Sequence, residues 1–446
     1  MKKRILQVFV LTITALLLAG CTPLTVAEMY AIPKRSEEYA HLQSAIDMAM
    51  AGLSYCAPVS GENRQTVQMA DLDGDGVDEY LVFAKGNTEK PLQILIFSQM
   101  EDGKCQIMTM IESNGSAFER VEYMEIDHTP GCEIVVGRQV SDQLMGTVSI
   151  YSFKNGSAKQ IMTSGYSRFL TYDLDMDDKG ELVIIQPGES EFGSAVAMLY
   201  NFRSGEMERS VEVELSCKVQ DIRRITASDL QDGYPAVYVA SAMDDSSILT
   251  DVLALKRGRF TNVSASSESG NSVQTLRNYA VYGDDLDHDG VFELPKLVSM
   301  QLISMDYNIE RQYLISWYSM DSLGRTYDKL HTFHNYAGGW FVQLSSEWAE
   351  RVTIEQMGNT YIFYLWNEAF TEAIPLFTIY VMTGSDRETQ ASADNRFVLY
   401  RTDEVVYAAR LEEKSAEYGI TKESMINSFG RIHQDWRIAQ DMRGSI

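Results

Sequence analysis

Acidic side chains recur at close, regular intervals in one short segment of this 446-residue chain. Residues 69–83 read Met-Ala-Asp-Leu-Asp-Gly-Asp-Gly-Val-Asp-Glu-Tyr-Leu-Val-Phe. With Asp71 as position 1, carboxylates occupy positions 1, 3, 5 and 9, and the glycine at position 6 permits a sharp turn. Several hard oxygen ligands that converge on one centre suit Ca²⁺. The residue types therefore predict a calcium site formed by Asp71, Asp73, Asp75 and Glu79.

The spacing differs from that of an EF-hand, which has a bidentate Glu at position 12 and a helix on each side. In this segment position 12 is Val82, and residues 66–69 and 80–83 both read as strands. The alternative to a metal site is an acidic surface turn closed by hydrogen bonds to its own Asp side chains. If calcium binds, we expect it to stabilise the turn and not to contact a ligand.

The acidic pattern recurs four more times along the chain, at intervals of 48 to 56 residues. Five units at nearly constant spacing are the mark of a repeat architecture. Two of the later copies keep the carboxylates of the first, and these are Asp173, Asp175, Asp177 and Glu181 in one and Asp285, Asp287, Asp289 and Glu293 in the other.

The remaining two copies are eroded. One has Thr129 and Pro130 in its turn and is a weaker ligand set, consisting of Glu125, Asp127 and Glu133. The other begins at Asp229, has lost one residue and has lost most of its acids. We expect no metal at the Asp229 copy.

Between the acidic loops, short apolar and β-branched runs alternate with Gly, Asn and Asp turns, which is typical of strands. The first interval predicts strands at residues 80–84, 92–98, 106–111 and 121–126. Four strands per roughly 50 residues is the content of a propeller blade. We therefore predict a mainly β fold, a β-propeller of about five four-stranded blades with an N-terminal helix and a small C-terminal α+β domain.

The loop Asp-x-Asp-Gly-Asp-Gly-x-x-Glu, followed by an apolar strand, resembles the calcium-loop repeats of integrin-type FG-GAP and VCBS propellers. The resemblance covers about residues 64–345. It implies calcium at blade edges and a role in adhesion or ligand binding more often than in catalysis. Integrin-type rings have seven blades, so two arrangements stay open: a ring of five blades, and a ring completed by the C-terminal part.

The N-terminus predicts export and lipidation. A basic start, an apolar run at residues 5–18 and the sequence Leu18-Ala19-Gly20-Cys21 resemble the signal peptide and lipobox of bacterial lipoproteins. The resemblance implies cleavage after Gly20 and acyl chains on Cys21, which would hold the protein on the extracytoplasmic face of the cell membrane. The alternative is a simple secretory signal or a membrane anchor in which Cys21 is incidental. The apolar run disfavours the anchor, because it is shorter than the roughly 20 residues that span a bilayer.

These patterns divide the chain into five parts. We predict a signal peptide at 1–20, a tether at 21–35, a helical segment at 36–63, the repeats at 64–345 and the C-terminal domain at 346–446, with a helix at 422–439. Cys56, Cys105, Cys132 and Cys217 are compatible with two disulfides or with free thiols. Trp340, Trp348 and Trp366 belong either to a core or to a sugar-binding platform.

Composition and motifs narrow the function. The chain has 38 Lys and Arg against 63 Asp and Glu, a net charge of −25, which disfavours nucleic acid as a partner. We identify no catalytic residues, since the sequence lacks a nucleophile elbow, a P-loop and a His-Glu-x-x-His zinc motif. The sequence favours a binding or scaffold protein for cell-envelope polysaccharide or protein. A polysaccharide-processing hydrolase or lyase is the alternative.

Overall fold

A computed structural model describes residues 37–432 except 101–102, 141–144, 190–192, 244–246, 279–280 and 304–312. The predicted signal peptide, Cys21 and the tether lie outside this part of the chain, as does the end of the predicted C-terminal helix. The described part is mainly β and contains six antiparallel sheets. None of the helices described is long and apolar enough to cross a membrane.

The chain divides into two compact units. The first comprises the residues up to 57 together with 65–70 and 78–114, and the second comprises 58–64, 71–77 and the residues from 115 onward.

The first unit contains helix α1 (Glu37–Ala49) and the first sheet. Its strands are β1 (Ser54–Tyr55), β2 (Val67–Ala70), β3 (Glu79–Lys85), β4 (Leu92–Gln99) and β5 (Cys105–Ser113). Leu42 and Ile46 lie one helical turn apart and are buried with Val82 and Phe97 of the sheet. The helix predicted here from its apolar spacing therefore packs against the first sheet.

The second unit contains the other five sheets. The second sheet consists of β6 (Ala117–Met124), β7 (Glu133–Gln139), β8 (Gly146–Lys154) and β9 (Ser157–Tyr166). The third consists of β10 (Arg168–Tyr172), β11 (Glu181–Pro187), β12 (Ala195–Arg203) and β13 (Glu206–Glu214). The fourth consists of β14 (Ile222–Asp229), β15 (Pro235–Ala242), β16 (Ile248–Lys256) and β17 (Arg259–Asn262).

The fifth and sixth sheets have five strands each. The fifth consists of β18 (Leu294–Ser299), β19 (Tyr313–Met320), β20 (Thr326–Asn335), β21 (Trp340–Leu344) and β27 (Phe429–Arg431). The sixth consists of β22 (Val352–Met357), β23 (Thr360–Trp366), β24 (Ala373–Thr383), β25 (Phe397–Arg401) and β26 (Val405–Leu411). Two short helices complete the described chain, α2 (Arg387–Ala391) and α3 (Lys422–Ser428).

In the second, third and fourth sheets the strands follow one another in chain order. The turns predicted at Lys154-Asn-Gly, Arg203-Ser-Gly and Lys256-Arg-Gly join neighbouring strands of these sheets. Both central residues of each turn have positive φ, between 52° and 94°. This conformation matches the right-handed twist of the flanking strands, so each of the three turns fixes a hairpin.

Consecutive sheets of the second unit pack against each other through buried apolar side chains. Strands such as β11 and β15 are buried along nearly their whole length, because a sheet covered on both faces has no polar side. Each boundary between consecutive sheets has its own core, represented by Val135 with Ile184, Val183 with Val237, Tyr238 with Leu294, and Phe333 with Phe363.

The C-terminal part, expected as a small α+β domain, contains six strands and two short α-helices in its described residues. Five of these strands form a sixth sheet, which no acidic loop marks in the sequence. The helix expected at 422–439 ends at Ser428, and β27 follows it and pairs with β21. Phe429 stacks on Trp340 with ring centroids 5.7 Å apart, and this buried contact favours the strand over a longer helix.

Two alternatives left open by the sequence are decided. Trp340 and Trp366 are buried, and Trp348 is half-buried against the core that contains Trp340, so the three form no exposed platform. In the described part of the chain, none of Cys56, Cys105, Cys132 and Cys217 forms a disulfide.

Candidate cation sites in the acidic loops

The acidic loops share one backbone conformation. At position 4 of each full-length loop φ lies between 58° and 75°, whether the residue is Gly74, His128, Met176 or His288. At position 6, Gly76, Asp178 and Gly290 also have positive φ, between 66° and 87°. These left-handed residues fold each loop back on itself, and the register taken from the sequence is therefore also a structural register.

In the Asp173 loop, one carboxylate oxygen from each of Asp173, Asp175 and Glu181 lies within 4.8 Å of the others. The Asp173 carboxylate accepts hydrogen bonds from the backbone N–H groups of Met176 at 2.7 Å and Asp178 at 2.9 Å. These bonds fix the carboxylate toward the middle of the loop. Asp177, the fourth predicted ligand, lies outside this group of three.

Glu181 forms the buried base of the Asp173 loop. Its Oε2 accepts the N–H of Leu174 at 2.7 Å, and its Oε1 accepts the side-chain amide of Asn201 at 3.3 Å. Burial, with a smaller contribution from the neighbouring Asp175 and Asp177, raises the pKa of Glu181 to about 7 against the opposing hydrogen bond from Leu174. A cation at this place would relieve the repulsion among these carboxylates.

The Asp285 loop also brings three carboxylates within 4.8 Å, those of Asp285, Asp287 and Asp289. Lys329 lies beside them, with its Nζ 2.7 Å from Asp289 Oδ2 and 4.0 Å from Glu293 Oε1. Glu293 is fully buried and accepts the N–H of Leu286 at 2.9 Å. The fourth predicted ligand of this loop therefore lies outside the group of three, next to a lysine.

The Asp71 loop, residues 71–77, has the same internal hydrogen bonds. One oxygen of Asp71 and one of Asp73 lie within 4.8 Å of each other, and Asp71 accepts the N–H groups of Gly74 at 2.7 Å and Gly76 at 3.0 Å. Asp75 accepts the N–H of Val77 at 2.7 Å. In the first unit, Glu79 is buried and accepts a hydrogen bond from Ser98 Oγ at 2.8 Å.

In the Glu125 loop lysine side chains neutralise the carboxylates. Lys154 Nζ lies 2.7 Å from the buried Asp127, which also accepts hydrogen bonds from Ser152 and Thr129. Burial raises the pKa of Asp127, but the bonds from Lys154, Thr129 and Ser152 outweigh it and lower this pKa to about 2. Glu125 itself forms an ion pair with Lys179.

A backbone hydrogen bond joins successive loops of the second unit. The N–H at position 8 of one loop donates to the carbonyl at position 1 of the loop before it. The three bonds run from Cys132 to Asp71 at 3.1 Å, from Gly180 to Glu125 at 2.7 Å and from Phe292 to Asp229 at 3.1 Å. The sequence register predicts which positions are equivalent, but nothing in it indicated this link, because backbone groups have no residue signature.

Comparisons with known proteins assign no family. No protein-family model and no curated protein matches the chain. Among the solved structures, it is similar to a protein from Lactobacillus plantarum, with 9% identity over 71% of this chain and 85% of that one and a TM-score of 0.28. It is also similar to a candidate 6-phosphogluconolactonase from Bacteroides uniformis, with 11% identity, coverage of 68% and 82% and a TM-score of 0.29.

A third similar structure is the rhamnogalacturonan lyase of Bacillus licheniformis, with 12% identity, coverage of 72% of each chain and a TM-score of 0.28. At these TM-scores the likeness assigns neither fold nor function.

Proposed function

We propose that this protein is a lipid-anchored binding or scaffold protein of the cell envelope, built as a calcium-stabilised β-propeller that engages an envelope polysaccharide or protein. The observation that carries the proposal is the recurrence of one acidic loop with one backbone conformation, which connects β2 to β3, β6 to β7 and β10 to β11 and precedes β18. Repetition of a loop and a sheet as one unit is how propellers are built.

The packing of the second unit supports the propeller. Its sheets follow in chain order, each consecutive pair shares a core, and three backbone hydrogen bonds each join one acidic loop to the loop before it. Shared cores between consecutive sheets are expected of a radial array, because each blade covers one face of the next blade. We propose that each of the five sheets of the second unit is a blade.

The donor set supports calcium. The Asp173 loop supplies carboxylate oxygens alone, and several oxygen ligands in a flexible loop suit Ca²⁺ better than a metal that prefers nitrogen or sulfur. Asp173, Asp175, Asp177 and Glu181 would hold the ion there. Asp285, Asp287, Asp289 and Glu293 would hold a second, and Asp71, Asp73, Asp75 and Glu79 have the sequence of a third.

Thermal unfolding of the mature chain, lacking the lipid and the signal peptide, tests the calcium proposal. We expect millimolar Ca²⁺ to raise the midpoint by several degrees relative to chelator, because a ligand that binds only the folded state stabilises it by mass action. The variant Asp173→Ala/Asp175→Ala should lose part of this rise. Asp178→Asn, which removes an exposed charge of the same loop and tolerates the positive φ, is the matched control.

An unchanged midpoint in millimolar Ca²⁺ would leave the loops as acidic turns. The binding role is tested separately by sedimenting the protein with purified cell-wall polysaccharide, with and without Ca²⁺. Release of reducing ends or unsaturated sugars during that incubation would favour the hydrolase or lyase instead.

A further inference from the structure

The first strands of three consecutive sheets line a cavity of about 390 Å³ in the second unit. Strands β6, β10 and β14 each contribute to its wall, and residues 62 and 63 complete it. Each of the three strands stands at the end of its sheet, so its outer edge carries backbone N–H and C=O groups. The cavity wall therefore offers both hydrogen-bond donors and acceptors from the main chain.

A fixed ion pair lies in this wall. Glu122 Oε2 accepts the N–H of Thr171 at 3.0 Å and its hydroxyl at 2.5 Å, which joins β6 to β10. The other oxygen of Glu122 pairs with Arg120, whose guanidinium carbon lies 5.8 Å from the centre of the Phe169 ring. These contacts hold the guanidinium in place. The Arg120 side chain is still 34% exposed and lines the cavity.

The segment that closes the cavity is also held in place. Val59 and Ser60 donate backbone hydrogen bonds to β6, at 3.1 and 2.8 Å, and the side-chain amide of Asn63 donates to Val121 at 3.1 Å. Gly61 has φ +81°, and a Cβ at this position would lie 3.0 Å from Arg120. Glycine thus lets the segment approach the ion pair, which brings Glu62 to the cavity.

We infer that this cavity binds the end of a neutral glycan, as one or two sugar rings. The inference deepens the proposed function, on which it rests, by naming the ligand class and the site. Sugar hydroxyls both donate and accept hydrogen bonds, and they match the terminal guanidinium nitrogens of Arg120 as donors and the carboxylate of Glu62 as acceptor, while Glu122 positions Arg120. Tyr172 adds an aromatic wall with a hydroxyl.

Charge and size select this ligand over others. The charged side chains Glu62, Arg120 and Glu122 sum to a net negative charge, and Asp173 and Asp229 lie close enough to act on Tyr172, so an anion is repelled. The polar wall disfavours a hydrocarbon. The volume is near the lower end of the roughly 300–1,000 Å³ typical of small-molecule sites, which suits a chain end and not a long segment.

Calorimetric titration of the full-length lipidated chain in detergent tests the inference, with cellobiose, maltose, lactose and chitobiose as probes and glucuronate as the anionic comparison. We expect saturable binding of at least one neutral disaccharide and weaker binding of glucuronate. Arg120→Met and Glu122→Gln should each weaken that binding at least tenfold. Arg168→Met, an exposed arginine at the start of β10, should leave it unchanged.

The cavity and the proposed function are tested by different outcomes. No saturable binding by the wild type, stronger binding of glucuronate, or equal affinities for Arg120→Met and Arg168→Met would overturn the cavity as a glycan site. Glu122→Gln is isosteric and keeps the test valid where Arg120→Met unfolds. Sedimentation with polysaccharide by both Arg120→Met and the wild type would leave the proposed function standing and reject the cavity alone.

Discussion

At the scale of single residues, neighbouring lysines determine how much a bound cation could stabilise each acidic loop. Lys154 neutralises Asp127 at 2.7 Å, and Lys329 holds Asp289 at the same distance. A bound ammonium supplies the charge that a metal would bring, so these loops need less from calcium than the Asp173 loop does. Neither lysine could be assigned this role from the sequence, because each lies at least 25 residues from the acid that it contacts.

Removal of Lys329 should therefore strengthen cation binding at the Asp285 loop. Lys329→Met keeps the length of the side chain and frees the Asp289 carboxylate. We expect roughly tenfold tighter Ca²⁺ binding at one site, since a competing charge within 3 Å is lost. Calorimetric titration measures it, with Lys296→Met, an exposed lysine of the same sheet, as the control. Equal affinities in both variants would show that Lys329 does not compete with the ion.

The buried Glu133 should make stability depend on pH. Burial, together with the charge of Asp127, raises its pKa from 4.5 to about 7, although hydrogen bonds from the backbone N–H groups of Ile126 and Asp127 oppose the shift. The folded state therefore holds this proton more tightly than the unfolded state, and the stability contribution falls as pH rises from about 4.5 to about 7.

The variant Glu133→Gln should lack this pH-dependent loss. Relative to the wild type, its free energy of unfolding should improve between pH 4.5 and 7.5 by up to about 3 kcal/mol. Urea unfolding at the two pH values, with Glu206→Gln as an exposed control, measures the difference. If the free energies of unfolding of the wild type and the variant differ by the same amount at both pH values, Glu133 does not have a raised pKa in the folded state.

At the scale of loops and sheets, glycines at close approaches should matter more than glycines at turns alone. Gly131 has φ +100°, and a Cβ there would lie 2.4 Å from the carbonyl oxygen of Leu72. Gly290 has a similar φ of +87° but no atom within 4 Å of such a Cβ. Gly131 is thus needed for two reasons, because its φ is positive and because there is no space for a Cβ beside Leu72.

We expect Gly131→Ala to lower the free energy of unfolding by more than about 2 kcal/mol and Gly290→Ala by about 1 kcal/mol. The difference arises because the added methyl separates the Glu125 loop from the Asp71 loop and strains the Cys132–Asp71 hydrogen bond. Denaturant unfolding of both variants measures it. Similar losses in the two variants would mean that the contact between the loops contributes nothing beyond backbone strain.

The loops and hairpins could be predicted from local residue types. The sixth sheet, the strand at Phe429 and the cavity could not, because they depend on packing between distant parts of the sequence. The conformations of the acidic loops and of the Lys154-Asn-Gly turn follow from the types of the residues that form them. The sixth sheet has no such mark, and the strand at Phe429 depends on burial against Trp340, far away in the sequence. The cavity escaped prediction for the same reason: Arg120 and Thr171 look like ordinary strand residues until two sheets bring them together.

At the scale of the whole molecule, the net charge of −25 bears on the proposed lipid anchor. An acidic protein is repelled by anionic lipid, so no surface patch is expected to replace acyl chains. Acyl chains on Cys21 would supply the attachment through buried methylene groups instead. Because residues 1–20 carry only basic charges, cleavage at the predicted site would leave a chain that is more negative still.

Replacement of Cys21 should therefore release the protein from the membrane. We expect wild-type protein to take up radiolabelled palmitate and to sediment with membranes, and Cys21→Ser to remain unlabelled and to appear in the soluble extracytoplasmic fraction. Cys56→Ser, which alters a free thiol of the folded part, should behave like the wild type. Membrane sedimentation of unlabelled Cys21→Ser would show that attachment comes from the uncleaved apolar segment or from a partner, and the lipid would then have no role in localisation.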